Sequence, residues 1–420
     1  MASEWFMVPL GEFISLQRGH DLPDERRVLG NVPVIGSFGI TGWHNEAKAK
    51  APGLTIGRSG VIGGANYLEV DFFPLNTTLY VTDFHGNHPR FAYYFAKNFD
   101  FSSFNSGSVQ PSLNRNFLNP VPVVIPPVCE QKAIAHILGT LDDKIELNRK
   151  TNETLEAIAK ALFKSWFVNF DPVRAKAEGR PTGLPAEISD LFPDSFEKSE
   201  LGEIPRGWKV ETLGEHVELT KGRSYKSSEL NPSRIALVTL KSFQRKGGYK
   251  TEGLKSFTGT YRPEQEVKAG EIIVALTDVT QRAEVIGKPA IVESDSRYDK
   301  LVASLDVGIV RPKRGGIGST PYLYNLMLTS DYSQYSLGYT SGTTVLHLNH
   351  GAINNYPTVI PSLNIVNTYD CIAQAILSNI DCSRASTKSL EFLRNTLLPK
   401  LISGEQRVPD AEALVAEAGL

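Results

Sequence analysis

The sequence predicts an α+β protein: two similar, mostly β domains, each followed by a long helix, the two helices pairing as an antiparallel coiled-coil spacer with pseudo-twofold symmetry. Three observations predict it. First, a ten-position heptad ladder occurs twice, 235 residues apart: Ile134, Leu138, Leu141, Ile145, Asn148, Asn152, Leu155, Ala159, Leu162, Trp166, then Tyr369, Ala373, Ile376, Ile380, Ser383, Thr387, Leu390, Arg394, Leu397, Leu401. A 3.5-residue repeat of this length belongs to a helix that seats its seam in another long helix. The constant offset makes the two helices each other's simplest partners. Second, the blocks ahead of the ladders open alike, with Trp5-Phe6-Met7-Val8-Pro9-Leu10-Gly11-Glu12 and Trp208-Lys209-Val210-Glu211-Thr212-Leu213-Gly214-Glu215, here offset by 203. Third, the segments between are short, β-branched and fenced by Gly and Pro.

In chain order, residues 1–126 form the first domain, with strands at Leu54-Thr55-Ile56 and Val61-Ile62 and a helix around Arg90–Asn98. By Ser106-Gly107 and Ser341-Gly342 the offset between the blocks has grown to 235, so the second block has gained 32 residues. Both blocks close with a proline-bearing apolar strand, Pro122–Pro126 and Pro357–Pro361. The first helix occupies 127–170, bounded by Pro126-Pro127 and stopped by Asp171-Pro172, because proline lacks an amide donor and restricts its predecessor. A polar linker with Pro and Gly fills 171–206, and within it Pro193 to Lys198 reads as a solvated loop. The second domain, 207–361, has strands at Ile272–Leu276 and Val307–Val310 and a helix around Thr320–Ser330. The second helix, 362–404, is expected to fray or kink near Pro399. The tail, 405–420, offers a short amphipathic turn or two after Pro409.

Composition narrows the function. At 420 residues the chain fits two or three domains. Its 41% hydrophobic content contains no apolar run near the ~20 residues of a membrane span. Met1-Ala2-Ser3-Glu4 lacks the basic start and apolar stretch of a signal peptide. The three cysteines, Cys129, Cys371 and Cys382, lack metal-ligand spacing and read as buried thiols in a reducing cytoplasm. No metal site is expected.

A net charge of −2 argues against coating nucleic acid unaided, since backbone binding rests on Lys and Arg displacing counterions. Charge is uneven, however: residues 207–361 hold 19 Lys/Arg against 15 Asp/Glu, and residues 1–126 hold 9 against 10. No phosphate loop ending in Lys-Ser/Thr is present, and neither is a glycine motif for a methyl donor. No catalytic residues and no bound cofactor are therefore expected. His136, on the first helix, reads as structural.

What remains is a binder with two similar heads. Each domain's opening segment ends in a basic loop: Arg18 and His20 in the first, Lys221, Arg223, Ser224, Tyr225 and Lys226 in the second. Such loops suit phosphates or guanine edges, to which Arg donates two bonds. Further DNA-binding candidates are Lys48, Lys50, Arg58, Ser59, Arg245, Lys246, Gln281 and Arg282, with Asn114, Arg115 and Asn349 at the ends of the two Ser-Gly loops. Solvated turns are the competing reading for all of them.

Several of these motifs resemble the specificity subunit of Type I restriction-modification systems: the openings at Trp5 and Trp208, Ser106–Asn114, and Pro126-Pro127 with Glu130-Gln131. To these add Trp166–Val173 with Arg174–Gly179, Leu201–Trp208, and Leu401–Glu405. The second Ser-Gly loop departs from the pattern at Thr343–His347.

The resemblance implies that each domain is a target-recognition domain reading one half of an asymmetric, bipartite DNA sequence, with the helices as spacer. It implies a non-catalytic, cytoplasmic chain whose partners are double-stranded DNA, two modification subunits and two restriction subunits. S-adenosylmethionine would sit in the modification subunit, which methylates adenine N6. ATP and Mg would sit in the restriction subunit.

Two alternatives stand beside this: a stand-alone DNA methyltransferase or fused restriction enzyme, and a twin-domain protein-binding scaffold. The ladder adds geometry. Ile134 to Trp166 is 33 residues, roughly 50 Å of helix at ~1.5 Å per residue, or about fourteen to fifteen base pairs. Its polar centre, Asn148 and Asn152 against Ser383 and Thr387, would fix register at a cost in stability.

Overall fold

The computed structural model describes residues 5–107, 111–245, 247–280, 282–349 and 351–417. The chain divides into two compact units: Met1–Thr151 with Cys382–Leu420, and Asn152–Asp381.

In the first unit, strand Phe6–Pro9 pairs antiparallel with Pro122–Ile125 and so ties the two ends of the β region together. Between them lie a four-stranded sheet in the order Ser15–Arg18, Thr78–Asp83, Gly53–Gly57, Ala65–Leu68, and a three-stranded sheet in which Val32–Gly36 lies between Gly39–His44 and Phe73–Pro74. Helix Pro89–Asn98 buries Phe91 and Phe95 beside Phe13.

The second unit repeats this build. Lys209–Thr212 pairs with Pro357–Ile360. One sheet runs Val217–Lys221, Val307–Pro312, Ile272–Ala275, Pro289–Ile291; another places Ile235–Val238 parallel to Lys300–Ala303. The offset between matching positions is 203 at Ile35 and Val238, 218 at Gly57 and Ala275, and 229 at Thr78 and Val307. The 32 extra residues are therefore spread over several loops, the largest share falling before Ile272.

Expected and observed elements differ in places. Val61-Ile62 is a loop, because Gly57 and Gly64 close the segment with bonds of 2.8 Å (Gly57 N to Gly64 O) and 3.0 Å (Gly63 N to Gly57 O). The 171–206 segment is ordered: helix Asp171–Ala177 starts with Pro172 in its first turn, where a missing amide costs nothing, and Phe196–Ser199 forms a hairpin with Gly202–Pro205. Its polar composition hides Val173, Phe192 and Ile204, which bury against Phe170 and Trp208. Thus Pro193 to Lys198 is no solvated loop; Arg174 lies 5.1 Å from the Phe196 ring centroid.

The long helices span Val128–Phe167 and Leu363–Ser403. The second continues through Pro399, since Leu401 and Ile402 beyond it are buried and hold the last turn. Helix Val408–Glu417 then packs Ala411 and Val415 into the same core. Gln131, fully buried, fastens the start of the first helix: its amide donates to Asn87 and to the Pro126 carbonyl, and its oxygen accepts from His88 N.

Within each unit the helix segments run antiparallel. In the first, Asp142 meets Arg394 at 2.7 Å and Asn148 Nδ2 meets Thr387 Oγ1 at 3.3 Å. In the second, Phe163 and Trp166 pack on Tyr369. Of the ladder positions, Ile134, Leu138, Leu141, Ile145, Asn148, Ala159, Trp166, Tyr369, Ala373, Ile380, Leu390, Leu397 and Leu401 are buried; Asn152, Leu155, Leu162, Ile376, Ser383, Thr387 and Arg394 are half-buried. The cysteines correct the expectation: all three are free and exposed, because each falls off the ladder on the outer face of its helix.

The polar centre is satisfied unequally. Asn148 also donates to Ser386 at 3.5 Å, and its carbonyl accepts from Ser383 at 3.5 Å. Asn152 Oδ1 is buried without a hydrogen-bond partner. Asn152→Leu is thus expected to raise stability by about 1 kcal/mol, since it removes an unmatched acceptor. Asn148→Leu should lower it by a similar amount. Thermal unfolding of the two variants checks the opposite signs.

Candidate nucleic-acid interface

Each basic strand end is displayed by a glycine. A Cβ on Gly19 would stand 2.2 Å from the Leu75 carbonyl oxygen, and one on Gly222 would stand 2.2 Å from that of Ser304. Only glycine lets the chain pass so close to a neighbouring backbone. The bonds repeat too: Gly19 N donates to Thr78 O at 3.1 Å and His20 N to Pro74 O at 2.8 Å, while Gly222 N donates to Val307 O and Arg223 N to Ala303 O, both at 3.0 Å. Arg18 and Lys221 therefore occupy one position of one framework, and both are exposed.

In the first unit a cluster forms around that position. The amides of Arg58 and Ser59 both donate to Thr77 O, at 2.9 and 3.1 Å. The Arg58 guanidinium donates to Asn76 O at 3.2 Å. Burial, and then the nearby charge of Arg18, lower its pKa. The two arginines stand at strand ends that flank the same strand, Thr78–Asp83, and the ion pair that Arg18 makes, with Asp21, is long at 3.9 Å. An anion or guanine edge placed between them would relieve that repulsion.

Leu113 N donates to Arg58 O at 2.9 Å, which brings the Ser-Gly loop alongside. Asn114 caps helix Arg115–Leu118, and Arg115 donates to Leu16 O at 3.3 Å. His20 lies 3.5 Å from the Tyr80 hydroxyl. The structure so gathers Arg18, His20, Arg58, Ser59, Asn114 and Arg115. It connects neither Lys48 nor Lys50 to them; these pair with Glu46 at 2.5 Å and Asp71 at 2.6 Å.

The second unit offers different chemistry on the same frame. Arg58's counterpart is Leu276, whose carbonyl accepts from Leu348 N as Arg58's accepts from Leu113 N, and it is buried. Arg223 is engaged within the protein, 2.9 Å from Glu229 and 5.2 Å from the Phe257 ring centroid. Lys255 donates to the Tyr225 hydroxyl at 3.3 Å. Lys221, Ser224 and Lys226 are left exposed on the loop.

Arg245 pairs with Glu284 at 3.1 Å, and Arg282 is exposed nearby in sequence. Asp278 shapes that loop: burial opposes its charge, but bonds from the amides of Val285, Thr280 and Ile286 prevail and hold its carboxyl below the ordinary range. Asn349 caps helix Gly351–Asn354 through Gly351 N. Lys246 and Gln281, and Ser108, Val109 and Gln110 of the first Ser-Gly loop, lie outside the described residues.

One residue, next in sequence to Ser37, whose hydroxyl bonds the Ser59 carbonyl, escapes a charge-based reading. Phe38 is 82% exposed in the turn between Gly36 and Gly39. The signal that marks it is turn chemistry: two-residue hairpin turns favour Gly, Asn and Asp, and a bulky aromatic there is out of place.

One β frame is thus used twice with different side chains at matching positions, and each copy is followed by a long helix. Residues 2–157 match the family model described as the Type I restriction modification DNA specificity domain. Over 341 residues the chain is 24% identical to the Type I restriction enzyme HindI specificity subunit of Haemophilus influenzae, covering 70% of this chain and 71% of that one. It is 25% identical over 339 residues to the MjaIX specificity subunit of Methanocaldococcus jannaschii, covering 76% and 70%. In fold it resembles the crystal structure of the Type-I restriction-modification system S subunit from M. genitalium, with a TM-score of 0.61, 16% identity, and coverage of 95% and 96%. The first domain with part of its helix thus matches that family model, and the whole chain is similar in sequence and fold to Type I specificity subunits. Among the described residues no helix is long and apolar enough to cross a membrane, and no His/Cys/Asp/Glu group has metal-binding geometry.

Proposed function

We propose that this chain selects the DNA sequence on which a Type I complex acts, each unit reading one half of a bipartite, asymmetric target in double-stranded DNA. The observation that carries this reading is the pair of glycine-cradled strand ends at matching positions, one set with Arg18 and Arg58 and the other with Lys221 and buried Leu276. One frame with two chemistries suits two unlike half-sites.

The complex would comprise two modification subunits, which use S-adenosylmethionine to methylate adenine N6, and two restriction subunits, which use ATP and Mg to cleave. The chain itself would bind none of these cofactors. The target adenine must leave the stack to react. Such an assembly works in the cytoplasm, where the DNA is.

Reconstitution with the modification subunits tests the reading: sequence-selective binding that weakens steeply with salt is expected. Binding indifferent to sequence would contradict it, and so would methylation by this chain alone.

If the helices set the gap, deleting Ile145–Thr151 together with the facing residues 384–390 removes roughly 10 Å of helix, or about three base pairs. Sites selected by the shortened chain should then carry an altered gap. An unchanged gap would refute the ruler.

A further inference from the structure

We propose that Phe38 is a base-stacking wedge that enters the DNA half-site read by the first unit; the inference rests on the DNA-reading function above. The residue lies at the tip of the Val32–Gly36 and Gly39–His44 hairpin, where Gly36 pairs with Gly39 and leaves a loop of only Ser37 and Phe38. Its neighbour anchors the tip to the arginine cluster. Ser37 Oγ lies 2.6 Å from Ser59 O and 2.8 Å from Thr77 O, its single hydrogen shared between the two, and Thr77 O is the same carbonyl that accepts from the Arg58 and Ser59 amides. The exposed ring is thus one residue from a group bonded to the segment that carries Arg58.

The hairpin is also stiffened. The pairing slips between Val34 and Ile35, a β-bulge that places Thr41 as the extra residue. Thr41 Oγ1 donates to Val34 O at 3.2 Å, while its carbonyl accepts from Arg27 at 3.0 Å; Arg27 in turn pairs with Asp24 at 2.7 Å. Bulges re-aim side chains beside functional sites.

A Phe at 82% exposure gains nothing for the fold where it stands. On a turn bonded to the segment that carries Arg58, an apolar ring suits the face of a base or the gap between two. Double-stranded DNA is the occupant that needs both chemistries at once.

The frame of the second unit makes the device one-sided. Val34 pairs with Gly42, whereas its match Leu237 pairs with Lys255, so the offset rises from 203 to 213 across this turn and ten further residues stand where Ser37 and Phe38 reverse the chain. The second unit thus has no two-residue turn to present such a ring. Distortion of the duplex is therefore confined to one half-site.

The test uses the chain assembled with its modification subunits. A library of randomised duplexes yields the wild-type target, and 2-aminopurine is then placed in turn at each position of both half-sites. The wild-type complex should brighten the probe at one step of one half-site, apart from the adenine that is methylated. Phe38→Ala should abolish that signal and weaken specific binding by about tenfold, from the worth of one stacked base. Phe38→Trp should restore both.

Unchanged affinity and fluorescence in Phe38→Ala would overturn the wedge, and so would weaker binding with an unchanged signal, which would mean a backbone contact. Loss of the modification subunits on purification would overturn it too, by showing that the ring docks on protein. Failure of the wild-type complex to select any sequence would instead refute the DNA-reading function itself.

Discussion

Asp142→Ala is expected to destabilise the first unit by about 3 kcal/mol, because one carboxylate holds three elements together and its loss strands a partly buried cation. Asp142 accepts from Arg394 on the second long helix at 2.7 Å and from the Tyr94 hydroxyl of helix Pro89–Asn98 at 2.8 Å. The Arg394 side chain is only 16% exposed and that of Asp142 21%, so water replaces the lost partner poorly. The neighbouring pair is built to match: Arg90 pairs with Asp143 at 2.5 Å and donates to Gly139 O at 3.3 Å. A Cβ on Gly139 would stand 2.9 Å from the guanidinium carbon, so glycine is what lets Arg90 cross the helix.

Denaturant unfolding measures the cost. Tyr94→Phe alone should cost about 1 kcal/mol, the ordinary worth of one hydrogen bond. The double variant should cost less than the sum of the two, because both remove the same bond. Strict additivity, or a change below roughly 0.5 kcal/mol for Asp142→Ala, the size of an ordinary surface substitution, would show that the carboxylate bridges nothing of consequence.

Removing the arginine pair should have the largest effect on binding. In the reconstituted complex, Arg18→Ala with Arg58→Ala is expected to lower specific affinity by about a hundredfold, at roughly 1–3 kcal/mol per contact. Selection from randomised duplexes should show relaxed preference in one half-site and an intact one in the other. Lys221→Ala should instead reduce affinity modestly and evenly across sequences, with a shallower salt dependence. Equal loss at both half-sites with the arginine pair removed would mean that the cluster grips backbone only.

Much of the architecture was legible because it repeats. A heptad ladder states its period in apolar residues, and two ladders at one offset declare a pair; Leu138, Leu141, Leu397 and Leu401 sit buried as that periodicity requires. The closing strands were legible because Pro122 and Pro357 bracket short apolar runs. Less readable were segments whose structure depends on distant partners. Val61-Ile62 has strand residues but is turned out by the Gly57 and Gly64 bonds. The 171–206 segment is polar by composition, yet Phe192 and Ile204 find Trp208 only once the chain folds back.

Candidate contacts divided in the same way. Arg18 and Lys221 could be named from charge at the end of a strand. That Arg58 stands beside Arg18, that Arg223 is engaged with Glu229, and that Leu276 replaces Arg58 in the second unit all follow from strand register, which the sequence does not print. Phe38 was passed over because the candidates were chosen by charge and hydrogen-bonding chemistry, and only its place in a two-residue turn marks it.

The central claim is that one chain reads two different half-sites at a set distance. Mapping methylated adenines across the genome of a host that expresses this chain with its modification subunits tests it most directly. The expected result is one asymmetric motif of two short elements, separated by a constant unread gap and methylated on both strands. A single uninterrupted motif, or the same methylation pattern when this chain is omitted, would contradict it.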